Sequence, residues 1–76
     1  MATKAYVLVE AAVGKTRQVM DALRSLEGTQ SIDAVTGPYD VIIVVEGKDL
    51  KAIGELVAGK IHPVPGVNRT ATCVAI

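Results

Sequence analysis

Thr36-Gly37-Pro38-Tyr39-Asp40 lies between two apolar stretches and contains more than a turn requires. Gly37 and Pro38 are ordinary turn formers, and Asp40 can bond a turn backbone. Tyr39 is one of only two aromatic residues in the chain, both tyrosines, and it adjoins a carboxylate. Glycine lets a ligand approach the backbone. Turn N–H groups can receive a carboxylate, and Asp40 can accept an ammonium group. N–H donors beside a carboxylate match the two charged ends of an α-amino acid. Thr70 and Thr72 add two hydroxyls, and the two-residue period of a strand puts both on one face. Each of these residues also has a plain structural use, since threonine is common in strands. Local chemistry alone weighs toward a turn.

Other candidates are weaker. Gly14-Lys15-Thr16 resembles the end of a phosphate-binding loop, but that motif needs a second glycine at position 9, which is Val9. Asn68-Arg69-Thr70 fits a glycosylation sequon, which matters only in a secreted chain. His62, the single histidine, precedes Pro63 at a predicted helix end, where an imidazole suits the helix dipole. A general base needs a positioned partner, and none is near in sequence. Cys73 lacks a basic neighbour and reads as a small buried hydrophobe. Glu10, Glu46 and Glu55 fall on different elements and read as solvated charges. No residue is assigned a catalytic or metal-binding role, and no cofactor is expected.

These residues must be positioned by a small framework. A chain of 76 residues makes one domain. In so small a core, burial at roughly 25 cal/mol per Å² nearly cancels about 1.5 kcal/mol of ordering entropy per residue. One cysteine excludes an internal disulfide, so oligomerisation is the expected support. Eight basic and eight acidic residues are scattered without a stripe, which argues against direct nucleic-acid binding. No apolar run approaches the ~20 residues of a membrane span. The N-terminus lacks a signal-peptide pattern, and a soluble cytoplasmic protein is expected.

Residues 4–13 are β-rich. In residues 14–28, Val19, Leu23 and Leu26 share one helical face, and Gly28 is a natural stop. Residues 30–37 alternate as a half-exposed strand. A continuous apolar strand follows from Asp40. Residues 48–62 form a second helix with Leu50, Ile53, Val57 and Ile61 on one face and Asp49 as N-cap. Pro63 and Pro65 end it, and residues 67–76 make the last strand. The order βαββαβ is an α+β, ferredoxin-like sandwich: a four-stranded antiparallel sheet with two helices on one face. Strands one and three should be central. Strand three is apolar on both faces, so the second face needs a cover. The expected cover is another copy, giving a homodimer through the sheets.

A glycine shortly before Tyr-Asp, an apolar strand, an amphipathic helix, Pro65-Gly66-Val67 and spaced threonines together resemble a known family. The resemblance, from about Ala5 to Ile76, is to the effector-binding (RAM) domain of the Lrp/AsnC transcription regulators. It implies dimers that associate into octameric or larger rings, with an amino-acid effector bound between dimers. Carried over, the ligand-binding residues are Gly37, Tyr39 and Asp40 of the loop and Thr70 and Thr72 of the last strand, the latter sometimes from a neighbouring subunit. Family regulators carry an N-terminal helix-turn-helix domain. This chain starts at Met1, a few residues before strand one, and reads as the stand-alone module over residues 1–76, without a DNA-binding domain. Such a module would modulate transcription regulation of amino-acid metabolism by co-assembly with a full-length regulator.

Two alternatives belong to other classes. One is a small dimeric ferredoxin-like enzyme, monooxygenase-like, for which only Tyr6, Tyr39 and His62 are available. The other is a purely structural assembly subunit, in which the loop is a turn at a subunit contact. Fold alone does not separate them.

Overall fold

The structure, a computed structural model, describes residues 2–76; Met1 lies outside them. The elements are β1 (Thr3–Ala11), α1 (Thr16–Arg24), β2 (Thr29–Ala34), β3 (Val41–Gly47), α2 (Leu50–Leu56) and β4 (Val67–Val74), with a π-helical turn, Val57–Ile61, continuing α2. The four strands form one antiparallel sheet in the order β2-β3-β1-β4. The two apolar strands, β1 and β3, are central, as expected, and β2 and β4 are the edges.

Alternation sorts the strand residues onto two faces. Ala5, Val7 and Val9 of β1 and Val41, Ile43 and Val45 of β3 are fully buried on the helix side. Val19 and Leu23 of α1, Ile53 of α2 and Ile61 of the π turn complete that core. Burying each such aliphatic side chain contributes roughly 1.5–3 kcal/mol. On the open face, β3 presents Ile42 and Val44, β1 presents Tyr6 and Leu8, and β4 presents Ala71 and Cys73. Tyr6 is 40% exposed there. Cys73 corrects one expectation: it is exposed, because it pairs with Tyr6 on this open face and not with the core residues.

The second helix begins as its sequence prescribes. Asp49 is extended, and its carboxylate accepts the Ala52 N–H at 2.8 Å. Its end is different. The His62 N–H donates to the Val57 carbonyl at 2.8 Å, five residues back. One extra residue in the hydrogen-bonded ring turns the chain back relative to a regular helix. That correction keeps Ile61 under the sheet in line with Ile53 and leaves His62 exposed. The first helix is shorter than its apolar period, ending at Arg24, with Leu26 half-buried beyond it. Gly28, at φ 93°, then takes the chain into β2.

Candidate functional site

The loop from Val35 to Asp40 closes the β2–β3 hairpin at the end of the sheet where β1 finishes. The Val35 N–H donates to the Asp40 carbonyl at 2.9 Å, and the Asp40 N–H donates to the Val9 carbonyl at 2.9 Å. The Asp40 carboxylate does not bond its own turn. Its Oδ2 accepts the backbone N–H of Ala11 at 2.8 Å, across 29 positions of sequence. The β1–β4 register shifts between Glu10 and Ala11, so the ladder is irregular at the point where this carboxylate supplies an acceptor. Among the described residues, Oδ1 has no hydrogen-bond partner.

Gly37 stands at φ 117°, a conformation that side-chain-bearing residues rarely adopt, and the space beside it is open. Tyr39 is half-buried, and its ring centroid lies 5.2 Å from the guanidinium carbon of Arg69. Arg69 also approaches Glu10, Nε to Oε2, at 3.6 Å. Glu10 and Arg69 are register partners on the face away from the helices. The ion pair is solvent-exposed and contributes little to stability, but with the aromatic ring it gives the loop a defined side.

Thr70 and Thr72 lie elsewhere. They pair with Val9 and Val7 and so point to the helix side. With Val74 they form one wall of a groove of about 530 Å³. The opposite wall is Leu50, Ile53, Gly54 and Val57, with Ala58 and His62 at the π turn. The groove exists because β4 is an edge strand that α2 does not fully cover. A single protomer therefore does not bring all five expected binding residues together. Gly37, Tyr39 and Asp40 cluster at the loop end beside Arg69; Thr70 and Thr72 face the groove.

Sequence reasoning set aside Glu10 and His62 and did not weigh Arg69 as a site residue. The two-residue period separates Arg69 from Thr70, but its partner Tyr39 is a tertiary neighbour with no local signal. His62 reads as a helix end, which it is; its place at the groove follows from the short Pro63–Gly66 connection that brings β4 back beside α2. Among the described residues, no group of three or more His, Cys, Asp or Glu could hold a metal ion. No helix there is long and apolar enough to cross a membrane.

Comparison with known proteins agrees with this architecture. Residues 4–76 match the Lrp/AsnC ligand binding domain, and the chain belongs to that family. An uncharacterised HTH-type transcriptional regulator of Pyrococcus abyssi is 27% identical over 70 residues, which is 92% of this chain and 44% of the relative. The chain thus spans less than half the length of that regulator. A crystal structure from Thermus thermophilus superposes with a TM-score of 0.92 at 30% identity, covering 97% of this chain and 92% of the other. A hypothetical protein of Pyrococcus horikoshii gives a TM-score of 0.88 at 34% identity, covering 100% and 90%. A transcriptional regulator of Neisseria meningitidis, solved as an L-Met complex, shares the fold alone, with a TM-score of 0.87 at 18% identity over 97% of this chain and 49% of that one.

Proposed function

We propose that this chain is a non-enzymatic amino-acid-binding module that acts by assembly. The observation that carries the reading is the placement of the two groups of candidate residues. The loop wall of Gly37, Tyr39 and Asp40 and the groove wall of Thr70 and Thr72 occupy different sides of one protomer. A site that uses both walls takes them from two protomers. Ligand binding then favours the assembly in which the site is complete.

The elementary unit in this reading is a homodimer. The open face carries Tyr6, Leu8, Ile42 and Val44, an apolar strip that a second sheet would cover. Dimers then meet through loop and groove to form an octamer or larger ring, with the effector between them. The L-Met complex of the Neisseria regulator supports an amino acid as ligand class. The regulatory relatives support a role in transcription control. This module would exert that role by co-assembly with a full-length regulator.

His62 in the groove is the one observation that favours an enzyme instead. Among the described residues it has no hydrogen-bonded carboxylate to orient it, and no aromatic side chain lines the groove. The test is a thermal-shift screen against the twenty amino acids, with size measured in parallel, on the native chain and on Asp40→Asn and Thr72→Val. Asparagine keeps an acceptor for the Ala11 N–H while removing the charge. A ligand at about 100 times its Kd stabilises by roughly 2.7 kcal/mol. A shift for a few amino acids, lost in both variants, supports the sensor. No shift and an unchanged assembly would return the loop to a turn in a structural subunit.

A further inference from the structure

The loop from Val35 to Asp40 rests on one short patch of the sheet. The Asp40 carboxylate is fixed to the Ala11 N–H, and the Asp40 N–H to the Val9 carbonyl. These two bonds hold the loop backbone but do not fix the Tyr39 side chain. Among the described residues, the Tyr39 hydroxyl makes no hydrogen bond. The charged group that meets its ring is the Arg69 guanidinium, 5.2 Å from the centroid.

Arg69 is itself placed by its strand and by a neighbour. It lies on β4 opposite Glu10, and its Nε approaches the Glu10 carboxylate at 3.6 Å. Glu10 adjoins Ala11, so Tyr39 and Asp40 both end on neighbouring points of β1 and β4. The Arg69 side chain is 60% exposed, and its removal leaves the core untouched. A planar cation over an aromatic face is favourable and orients both groups. At an exposed site the contact corresponds to about two- to fivefold in an equilibrium constant.

We infer that Arg69 is a positioning residue of the effector site: its cation holds the Tyr39 ring, and with it the loop wall, in place before a ligand arrives. The inference rests on the reading of the loop as one wall of that site. Arg69 faces away from the helices, while the groove lies on the helix side. It therefore acts through Tyr39, not as part of the groove wall. A ring already held costs a ligand no ordering. A free ring must be immobilised on binding, and that cost weakens affinity. The next residue, Thr70, lines the groove. Adjacent residues of β4 thus support the loop wall on one face and supply the groove wall on the other.

The experiment uses Tyr6→Phe as its background. The chain has two tyrosines and no tryptophan, so the tyrosine band in the near-ultraviolet circular dichroism of that variant belongs to Tyr39 alone. A ring held in one pose gives a band, and a ring free to turn loses it. Adding Arg69→Gln should remove most of the band with no ligand present. Calorimetric titration with each of the twenty amino acids should then show the same ligands bound about two- to fivefold more weakly. Arg69→Lys keeps a cation at the position and should fall between the parent and Arg69→Gln in both measurements. Arg69→Lys level with Arg69→Gln overturns a hold by the cation. Weaker binding with an unchanged band overturns the inference by making Arg69 a ligand contact. A lost band with unchanged affinity overturns it as well, because the pose of the ring then plays no part in binding. No change in either measurement removes the role outright. All of these outcomes leave the assembly reading intact, since amino acids still bind. Binding of none of the twenty to the native chain overturns that reading and this inference together.

Discussion

The carboxylate of Asp40 accepts the backbone N–H of Ala11 at 2.8 Å, joining the β2–β3 loop to the end of β1. The same residue's N–H donates to the Val9 carbonyl, so the loop is held to β1 by both its backbone and its side chain. Asp40 is therefore an anchor of the loop before it is anything else. A substitution there tests two roles at once unless they are separated.

Asp40→Ala should destabilise the fold by about 1–3 kcal/mol, the cost of leaving a partly buried N–H without its acceptor. Asp40→Asn should recover most of that loss. Urea denaturation of the two variants checks this without any ligand. Equal stability of Asp40→Ala and the native chain would remove the anchor role.

The π turn predicts an unusual tolerance. Deleting Gly59 shortens the separation of Ile53 and Ile61 to seven positions, which regular helix places on one face. The His62-to-Val57 bond then becomes an ordinary helical one. The deletion should fold and change stability by less than about 1 kcal/mol. A thermal melt of the deletion beside the native chain decides the matter, and failure of the deletion to fold would mean that the π turn is required.

Gly28 carries a different constraint. At φ 93° it is strained for any other residue, and a Cβ would lie 2.9 Å from the Glu46 carbonyl oxygen. Gly28→Ala should cost about 1–3 kcal/mol, measurable as a shift in the urea midpoint. A neutral result would mean that the α1–β2 connection shifts freely.

Charge on the open face should separate protomers. Val44→Glu puts a carboxylate in the middle of the apolar strip, opposite Tyr6. It should leave the helix-side core intact and, on the proposed sheet-to-sheet homodimer, reduce the sedimenting species to a monomer, because an unpaired charge buried between sheets is costly. A variant that sediments like the native chain would place the dimer contact on another surface.

Much of this architecture was legible in the residues. The helical period of Val19 and Leu23, the unbroken apolar run of β3 and the prolines after His62 give the element order, and topology then centres β1 and β3. Asp49 announces its cap. The boundaries were less legible, because Leu26 continues the apolar period beyond the helical hydrogen bonds. The π turn left no trace, since positions 53, 57 and 61 also suit a regular helix. For Thr70 and Thr72 the shared face was readable, but not which face. β4 is an edge strand with polar residues on both sides, so hydrophobicity does not label its core side. The Asp40–Ala11 bond spans 29 positions and belongs to tertiary structure alone.

The separation of loop and groove within a protomer turns ligand stoichiometry into a gauge of closure. Where two walls from different chains make a site, an open row of protomers leaves one loop and one groove idle at its ends. A ring, or a reciprocal pair, leaves none idle. Saturation at one ligand per protomer therefore marks a closed assembly, and a lower ratio counts the free ends.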